Sequence, residues 1–170
     1  MYRSSIARPV DWRQVAMGLT LVTKGVGSGM TAGALFGLVA PPLEQEVTAA
    51  RPSRLALPAV VHTSIALPAA DRTTVDGIPA TAPARTVIDL GGAMPAHTFE
   101  DVLDTAIVQG LVSVRRLEAR ARELWTPRRR GCAVALELLA ARRPELERAA
   151  NPWRLESSAS STTSECRRRG

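Results

Sequence analysis

The fold prediction depends on the stretch from Asp71 to Leu90, because it joins a hairpin to the start of a helix. This stretch is Asp71-Arg-Thr-Thr-Val-Asp-Gly-Ile-Pro-Ala-Thr-Ala-Pro-Ala-Arg-Thr-Val-Ile-Asp-Leu90. Asp76-Gly77 is typical of a two-residue hairpin turn, since both residues tolerate the positive φ that a type I′ turn requires twice. Residues 73–75 and 78–80 are therefore expected to pair as two short antiparallel strands.

A helix is expected to follow the hairpin directly. Thr81 can serve as its N-cap. Pro83 lies in the first turn, where the N–H that proline lacks would have no partner within the helix. Apolar residues between 87 and 90 give this helix a buried side, and Gly91-Gly92 is expected to end it. Arg85 and Asp89 are four residues apart, a spacing that predicts a surface or scaffold pair on the helix rather than a catalytic site.

Periodicity and capping residues predict the other elements. Gly25-Val-Gly-Ser-Gly29 lacks the Lys and Ser/Thr of a phosphate-binding loop, so it is interpreted as a turn. The expected N-caps are Asp11 for the first helix, Ser28 for the second and Ser113 for the helix that begins at Val114. The predicted helices are Trp12–Thr23, a second one ending near Gly37, Pro95–Gln109, Val114–Trp125 and Gly131–Arg142, and the further strands are Glu44–Thr48 and Ala59–Thr63.

These elements predict an α+β fold, in which two N-terminal helices and a small β-sheet (about residues 44–80) pack against a C-terminal set of about four helices. A chain of 170 residues is most simply one domain with tails. That domain is placed at residues 10–145. Residues 1–9 are expected to be an N-terminal extension, and residues 146–170 a disordered tail rich in Ser, Thr and Arg.

Basic residues are concentrated in the C-terminal part of the chain. Residues 1–110 contain 8 basic and 9 acidic side chains, whereas residues 111–170 contain 14 and 7. This asymmetry favours contact with a polyanion such as DNA. The alternative is a GC-rich coding bias, because the chain has one Lys against 21 Arg. The predicted nucleic-acid-binding residues lie in the helix Val114–Trp125 and the turn that follows it: Arg115, Arg116, Arg120, Arg122, Arg128, Arg129 and Arg130.

Other kinds of site find little support in the sequence. Cys132 and Cys166 do not form a disulfide framework, and with His62 and His97 they lack metal-ligand spacing, so no metal, cofactor or small-molecule substrate is expected. His62 is interpreted as a surface strand residue. The apolar region 15–40 is interrupted by glycines, so no membrane segment is expected and the protein is predicted to be cytoplasmic.

Several segments together resemble a bacterial protein family. They are Val60–His62, Leu67–Asp71, the DGIP-x-T-x-PARTxxDL segment at residues 76–90, and Phe99–Ser113. In these the chain resembles AbiEi-type antitoxins of type IV toxin–antitoxin systems, over roughly residues 10–145. The resemblance implies a transcriptional autoregulator that pairs with a toxin. In many relatives the same region is followed by a Vsr-like endonuclease domain.

The chain also departs from that family pattern. Relatives begin with a winged helix-turn-helix, whereas this chain starts about where that unit would end. The family segment SHRSAAxLWGL corresponds to Ser28–Leu38, which lacks its His and Arg. No Asp…Glu-x-Lys metal constellation follows Glu156, where a Vsr-like domain would begin, so no nuclease chemistry is carried over. The chain is therefore expected to be a truncated form.

The leading functional prediction is a non-enzymatic, antitoxin-like regulatory domain that contacts DNA phosphates through the arginines. Two alternatives remain: a catalytically inactive member of the Vsr-fused branch, and a protein-interaction module that neutralises a toxin.

Overall fold

The computed structural model describes the backbone of residues 11–52, 56–64 and 67–150, and side chains as far as residue 142. The predicted extension at 1–9 and the tail beyond residue 150 lie outside the described residues. The chain forms an α+β fold with a mixed sheet and six helices in the described part. In chain order the elements are α1 (Trp12–Thr23), β1 (Val26–Gly27), α2 (Gly29–Leu35), β2 (Gln45–Ala49), β3 (Ala59–Thr63), a 3-10 turn (Ala69–Asp71), β4 (Arg72–Val75), β5 (Ile78–Thr81), α3 (Pro83–Ala93), α4 (Ala96–Val108), α5 (Val114–Glu123) and α6 (Arg130–Ala150).

The hairpin prediction is confirmed. Strands β4 and β5 pair antiparallel, with Val75 opposite Ile78. Asp76 and Gly77 between them have φ of 50° and 82°, the two positive values that a type I′ turn needs. The local turn chemistry thus fixes the register of this half of the sheet.

The sheet has five strands in the order β3-β2-β1-β5-β4. Its central strand is β1, which pairs antiparallel with β2 and parallel with β5. The prediction of a turn at residues 25–29 was therefore wrong for Val26 and Gly27. A strand of two residues is too short to show a periodic pattern in the sequence. Strand β1 forms because β2 and β5, on either side of it, both pair with it.

Helix α3 does not end at Gly91-Gly92 as predicted, but continues to Ala93. The two glycines allow close packing instead. A Cβ on Gly91 would lie 2.9 Å from Phe99 Cζ, and one on Gly92 would lie 3.3 Å from the backbone nitrogen of Gly131. The glycines therefore let α4 and α6 approach α3.

Local capping signals are confirmed in α1 and α5. The Asp11 N–H donates to Gln14 Oε1 at 3.3 Å, and Ser113 Oγ accepts the N–H of Arg116 at 3.3 Å. The N-cap of α3 is Ala82 rather than Thr81, because Thr81 belongs to β5 and its hydroxyl is 2.7 Å from the Thr86 hydroxyl.

Helix α6 differs from the prediction in length, and its buried side is not the one that the spacing of Val134, Leu138 and Ala141 predicts. It continues to Ala150 and includes Pro144, since good helix formers follow that proline. A Cβ on Gly131 would overlap the Ile88 carbonyl oxygen, so the helix crosses α3 at this glycine. The crossing turns Cys132, Ala135 and Leu139 into the core, while Val134 and Leu138 are partly buried and Ala141 is exposed.

The main core lies among the C-terminal helices and contains Ile88, Leu90, Phe99, Leu103 and Leu117, all fully buried. A smaller cluster joins α1 and α2 to β5. Helix α3 packs against α2, α4, α5 and α6. Its polar residues Arg85 and Thr86 are therefore buried in the interior of the domain.

Candidate nucleic-acid interface and polar cleft

Four of the seven predicted arginines are exposed and have no ion pair or hydrogen-bonded side-chain partner among the described residues. Arg115 and Arg116 lie at the beginning of α5, and Arg128 and Arg130 lie at the α5–α6 turn. Helix α5 has ten residues, so the two pairs lie at opposite ends of a helix about 15 Å long. Their charges are thus available to a ligand.

Arg120 and Arg122 are instead held by carboxylates. Arg120 donates from Nε to Asp71 Oδ1 at 2.8 Å, and its Nη2 lies 2.6 Å from Asp71 Oδ2. The hydrogen bond to Asp71 raises the pKa of Arg120. Arg122 pairs with Glu118 at 2.8 Å across one turn of the helix. Arg120 is therefore held within the protein, whereas Arg122 pairs through Nη2 and is 63% exposed.

Asp71 is the centre of a buried charge network. Its side chain is 1% exposed and receives Arg85 Nη1 at 3.1 Å in addition to Arg120. Arg85 also donates from Nε to Asp89 Oδ2 at 2.8 Å. The predicted Arg85–Asp89 pair is therefore present, and Asp71 extends it into a bridge between the turn before β4 and helices α3 and α5.

A polar cleft of about 410 Å³ opens on the other side of Arg85. Side chains at alternate positions share one face of a strand, so Glu46 and Thr48 of β2 face the same way. His62 of β3 is in register with Thr48. Residues of α2, α3 and the α5–α6 turn complete the lining, among them Ser28, Gly29, Asp89, Gly92 and Arg129.

The acceptor groups of the cleft already have partners. Glu46 Oε2 lies 3.2 Å from His62 Nε2, and Glu46 Oε1 accepts the N–H of Met30 at 3.3 Å. Gly29 has φ of 50°, and a Cβ there would overlap the Glu46 carboxylate. His62 is an exposed residue of strand β3, as predicted, and strand β2 places Glu46 beside it on the same face of the sheet.

Asp89 is the second carboxylate in the cleft. Burial raises its pKa, while the charge and hydrogen bond of Arg85 and the charge of Arg129 lower it in part. Arg129 therefore acts at the cleft and not with the exposed arginines beside it. The sequence alone puts it in one patch with Arg128 and Arg130, since adjacent residues give no sign of which one turns inward.

Ser28 caps α2 without a side-chain hydrogen bond to the helix. It is 2% exposed, and its Oγ has no hydrogen-bond partner in the described part of the chain. A buried hydroxyl without a partner is uncommon, because desolvating it is costly unless a hydrogen bond replaces the one to water.

The described residues hold neither a three-ligand metal site nor a membrane-spanning helix. Within residues 11–142, less the gaps, no group of three His, Cys, Asp or Glu side chains is arranged to hold a metal ion. None of the helices in the described part is both long enough and apolar enough to cross a membrane.

The described part of the chain is thus an α+β domain with a buried arginine–aspartate network and an exposed basic helix. The family described as AbiEi antitoxin C-terminal domain matches residues 27–141. The chain belongs to this family, and membership supports an antitoxin or regulatory role. Searches of curated proteins and of solved structures gave no match.

Proposed function

We propose that this domain is a non-enzymatic regulatory domain of an antitoxin that contacts nucleic-acid phosphates through arginines of α5 and the α5–α6 turn. The observation that carries the proposal is the set of four exposed arginines that no described carboxylate neutralises: Arg115, Arg116, Arg128 and Arg130. Guanidinium groups of this kind bind phosphates bidentately.

Contact of this kind would be independent of DNA sequence. Phosphate contacts position a protein on the duplex, whereas base edges supply specificity. The arginines of the network, Arg85 and Arg120, would serve to hold α5 in place and not to bind DNA. We therefore expect weak binding that depends strongly on salt.

A salt titration of DNA binding tests the proposal. The variant with Arg115, Arg116, Arg128 and Arg130 all changed to Ala should bind more weakly. Its slope of log K against log salt should be smaller by up to about 3.6, or about 0.9 for each phosphate that is no longer neutralised. Fluorescence anisotropy on a labelled duplex at several salt concentrations measures the slope.

Arg13→Ala is the matched control. Arg13 is an exposed arginine on α1 and pairs with Asp76 at 2.6 Å. The Arg13→Ala substitution should leave the slope of log K against log salt unchanged. Equal slopes for the fourfold variant and the wild type would overturn the proposed phosphate contact.

Binding of a toxin protein is the second candidate, and the apolar surface of α1 favours it. Leu21 and Val22 are adjacent and are 68% and 53% exposed. Fully desolvated apolar side chains at the centre of an interface are the usual source of its affinity. Changing both to Ser should weaken calorimetric binding to a toxin encoded beside this gene, whereas Leu43→Ser, at another exposed leucine, should not. Unchanged affinity of the α1 variant would exclude this face.

Membership in the Vsr-fused branch, with a truncated and catalytically inactive chain, stays a prediction. The DNA on both sides of the gene, translated in all frames, tests it. A helix-turn-helix frame upstream or a Vsr-like frame downstream would support it, and other genes in those positions would contradict it.

A further inference from the structure

The polar cleft between β2, β3 and α3 has hydrogen-bonding capacity that the fold does not use. Its acceptors are engaged: Glu46 receives Met30 N–H and faces His62, and Asp89 receives Arg85. The cleft also contains the Ser28 hydroxyl and the Arg129 guanidinium, two donors that suit a ligand with acceptor atoms.

The first donor is the Ser28 hydroxyl. It lines the cleft, its residue is only 2% exposed, and its Oγ has no partner. A serine at this position would normally bond to the N–H groups of its own helix, but Ser28 does not. Its hydroxyl is therefore free to donate into the cleft.

The second donor is the guanidinium of Arg129. This side chain is half-buried, lines the cleft, and forms no ion pair with the described residues, although its charge acts on Asp89. A guanidinium and a hydroxyl at the same cleft are a donor set suited to the oxygens of an anion.

We propose that this cleft binds the oxyanion of a small ligand, a phosphate or a carboxylate group, through the Ser28 hydroxyl and the Arg129 guanidinium. A volume of about 410 Å³ accommodates a small molecule and not a duplex. Binding here is thus separate from phosphate contact by the exposed arginines of α5.

The charges of the cleft are compatible with an anion. Arg85 is shared between Asp89 and Asp71, and Glu46 is held against His62 and a backbone N–H. The carboxylates are therefore directed at partners within the protein, while Arg129 supplies a positive charge that no described carboxylate pairs with. The Glu46 carboxylate also depends on Gly29, since any Cβ there would displace it.

Titration of the ¹⁵N-labelled protein with inorganic phosphate, and separately with succinate, at constant ionic strength tests the proposal. We expect saturating shifts of the Gly29 and Gly92 amide signals with at least one probe, and the probe that saturates identifies the anion. Ser28→Ala and Arg129→Gln should each raise Kd at least about tenfold, as expected for loss of a hydrogen bond to a charged group.

Arg128→Gln is the matched control, because Arg128 is the neighbouring arginine, exposed and outside the cleft. It should leave the Kd for the anion unchanged. Ser28→Ala removes a buried hydroxyl that has no hydrogen-bond partner among the described residues, so its Tm should be equal to or above that of the wild type, and its DNA affinity should be unchanged. The proposal is overturned if neither probe saturates, or if Ser28→Ala and Arg129→Gln bind the anion like Arg128→Gln. Neither result would contradict the proposed DNA binding by the exposed arginines, because Ser28 and Arg129 are not among them.

Discussion

Neutralising Asp71 should destabilise the domain far more than neutralising any exposed aspartate. Asp71→Asn keeps the shape of the side chain but removes the charge that Arg85 and Arg120 contact at 3.1 and 2.6 Å. Arg85 would retain Asp89, and Arg120 would retain the exposed Glu123. The mutation thus leaves two guanidinium groups partly uncompensated in and near the interior.

The burial of the three side chains sets the magnitude. Asp71 is 1% exposed, Arg85 7% and Arg120 20%, so water screens these contacts little. Removing one partner of a buried ion pair costs about 3–5 kcal/mol. Since asparagine still accepts a hydrogen bond, we expect a loss of about 3 kcal/mol in the free energy of unfolding and a fall of about 10 °C in Tm.

Urea unfolding followed by circular dichroism measures the loss, with Asp76→Asn as the matched control. Asp76 also pairs with an arginine at 2.6 Å, but the two side chains are 42% and 65% exposed, and such pairs contribute about 0–1 kcal/mol. Asparagine also tolerates the positive φ at this turn position. A loss for Asp71→Asn within about 1 kcal/mol of that for Asp76→Asn would refute the reasoning, because burial would then make no difference.

Two further predictions concern the packing of α6 and the pH dependence of stability. Gly131→Ala should destabilise the domain by about 2 kcal/mol or more in urea unfolding, because the new Cβ would overlap the backbone of α3. Gly18→Ala is the control and should stabilise the domain by about 0.5–1 kcal/mol, since nothing lies within 4 Å of a Cβ at that position. Similar effects of the two substitutions would contradict the packing described. Because the pKa of Asp89 is raised, the folded state binds this proton more tightly than the unfolded state does. The contribution of Asp89 to the free energy of unfolding is therefore most favourable below the ordinary pKa of 3.8, and it is lost as pH rises through the raised pKa. Asp89→Asn should therefore gain stability relative to the wild type across that window, and a difference that does not vary with pH would contradict the pKa shift.

Local signals predicted the hairpin and the first helix well. Asp76-Gly77 needs only its own φ values to form a turn, and α1 runs from Trp12 to Thr23 as predicted because Asp11 caps it. The same holds for Ser113 at α5. These elements are specified by residues within a few positions of one another.

Features that depend on distant residues were not predictable. Arg120 and Asp71 are 49 positions apart, and nothing in either segment indicates that one binds the other. The predicted end of α3 at Gly91-Gly92 was wrong for the same reason. Two glycines are typical of a helix end, and the helices that pack against them are not visible in the sequence. The cleft was missed for the same reason, because Ser28, His62 and Arg129 meet only in the folded chain.

The two-residue strand β1 has a consequence for how the domain assembles. In the described sheet, β2 and β3 reach β5 and β4 only through Val26 and Gly27, so few ladder hydrogen bonds cross the middle. The hairpin can form early because it is local, whereas the parallel pairs must wait for distant segments to meet. Helix α1 contacts β1, β2 and β5 and so spans this seam. The sheet therefore consists of a local hairpin and a non-local parallel pair, and α1 packs across the junction between them.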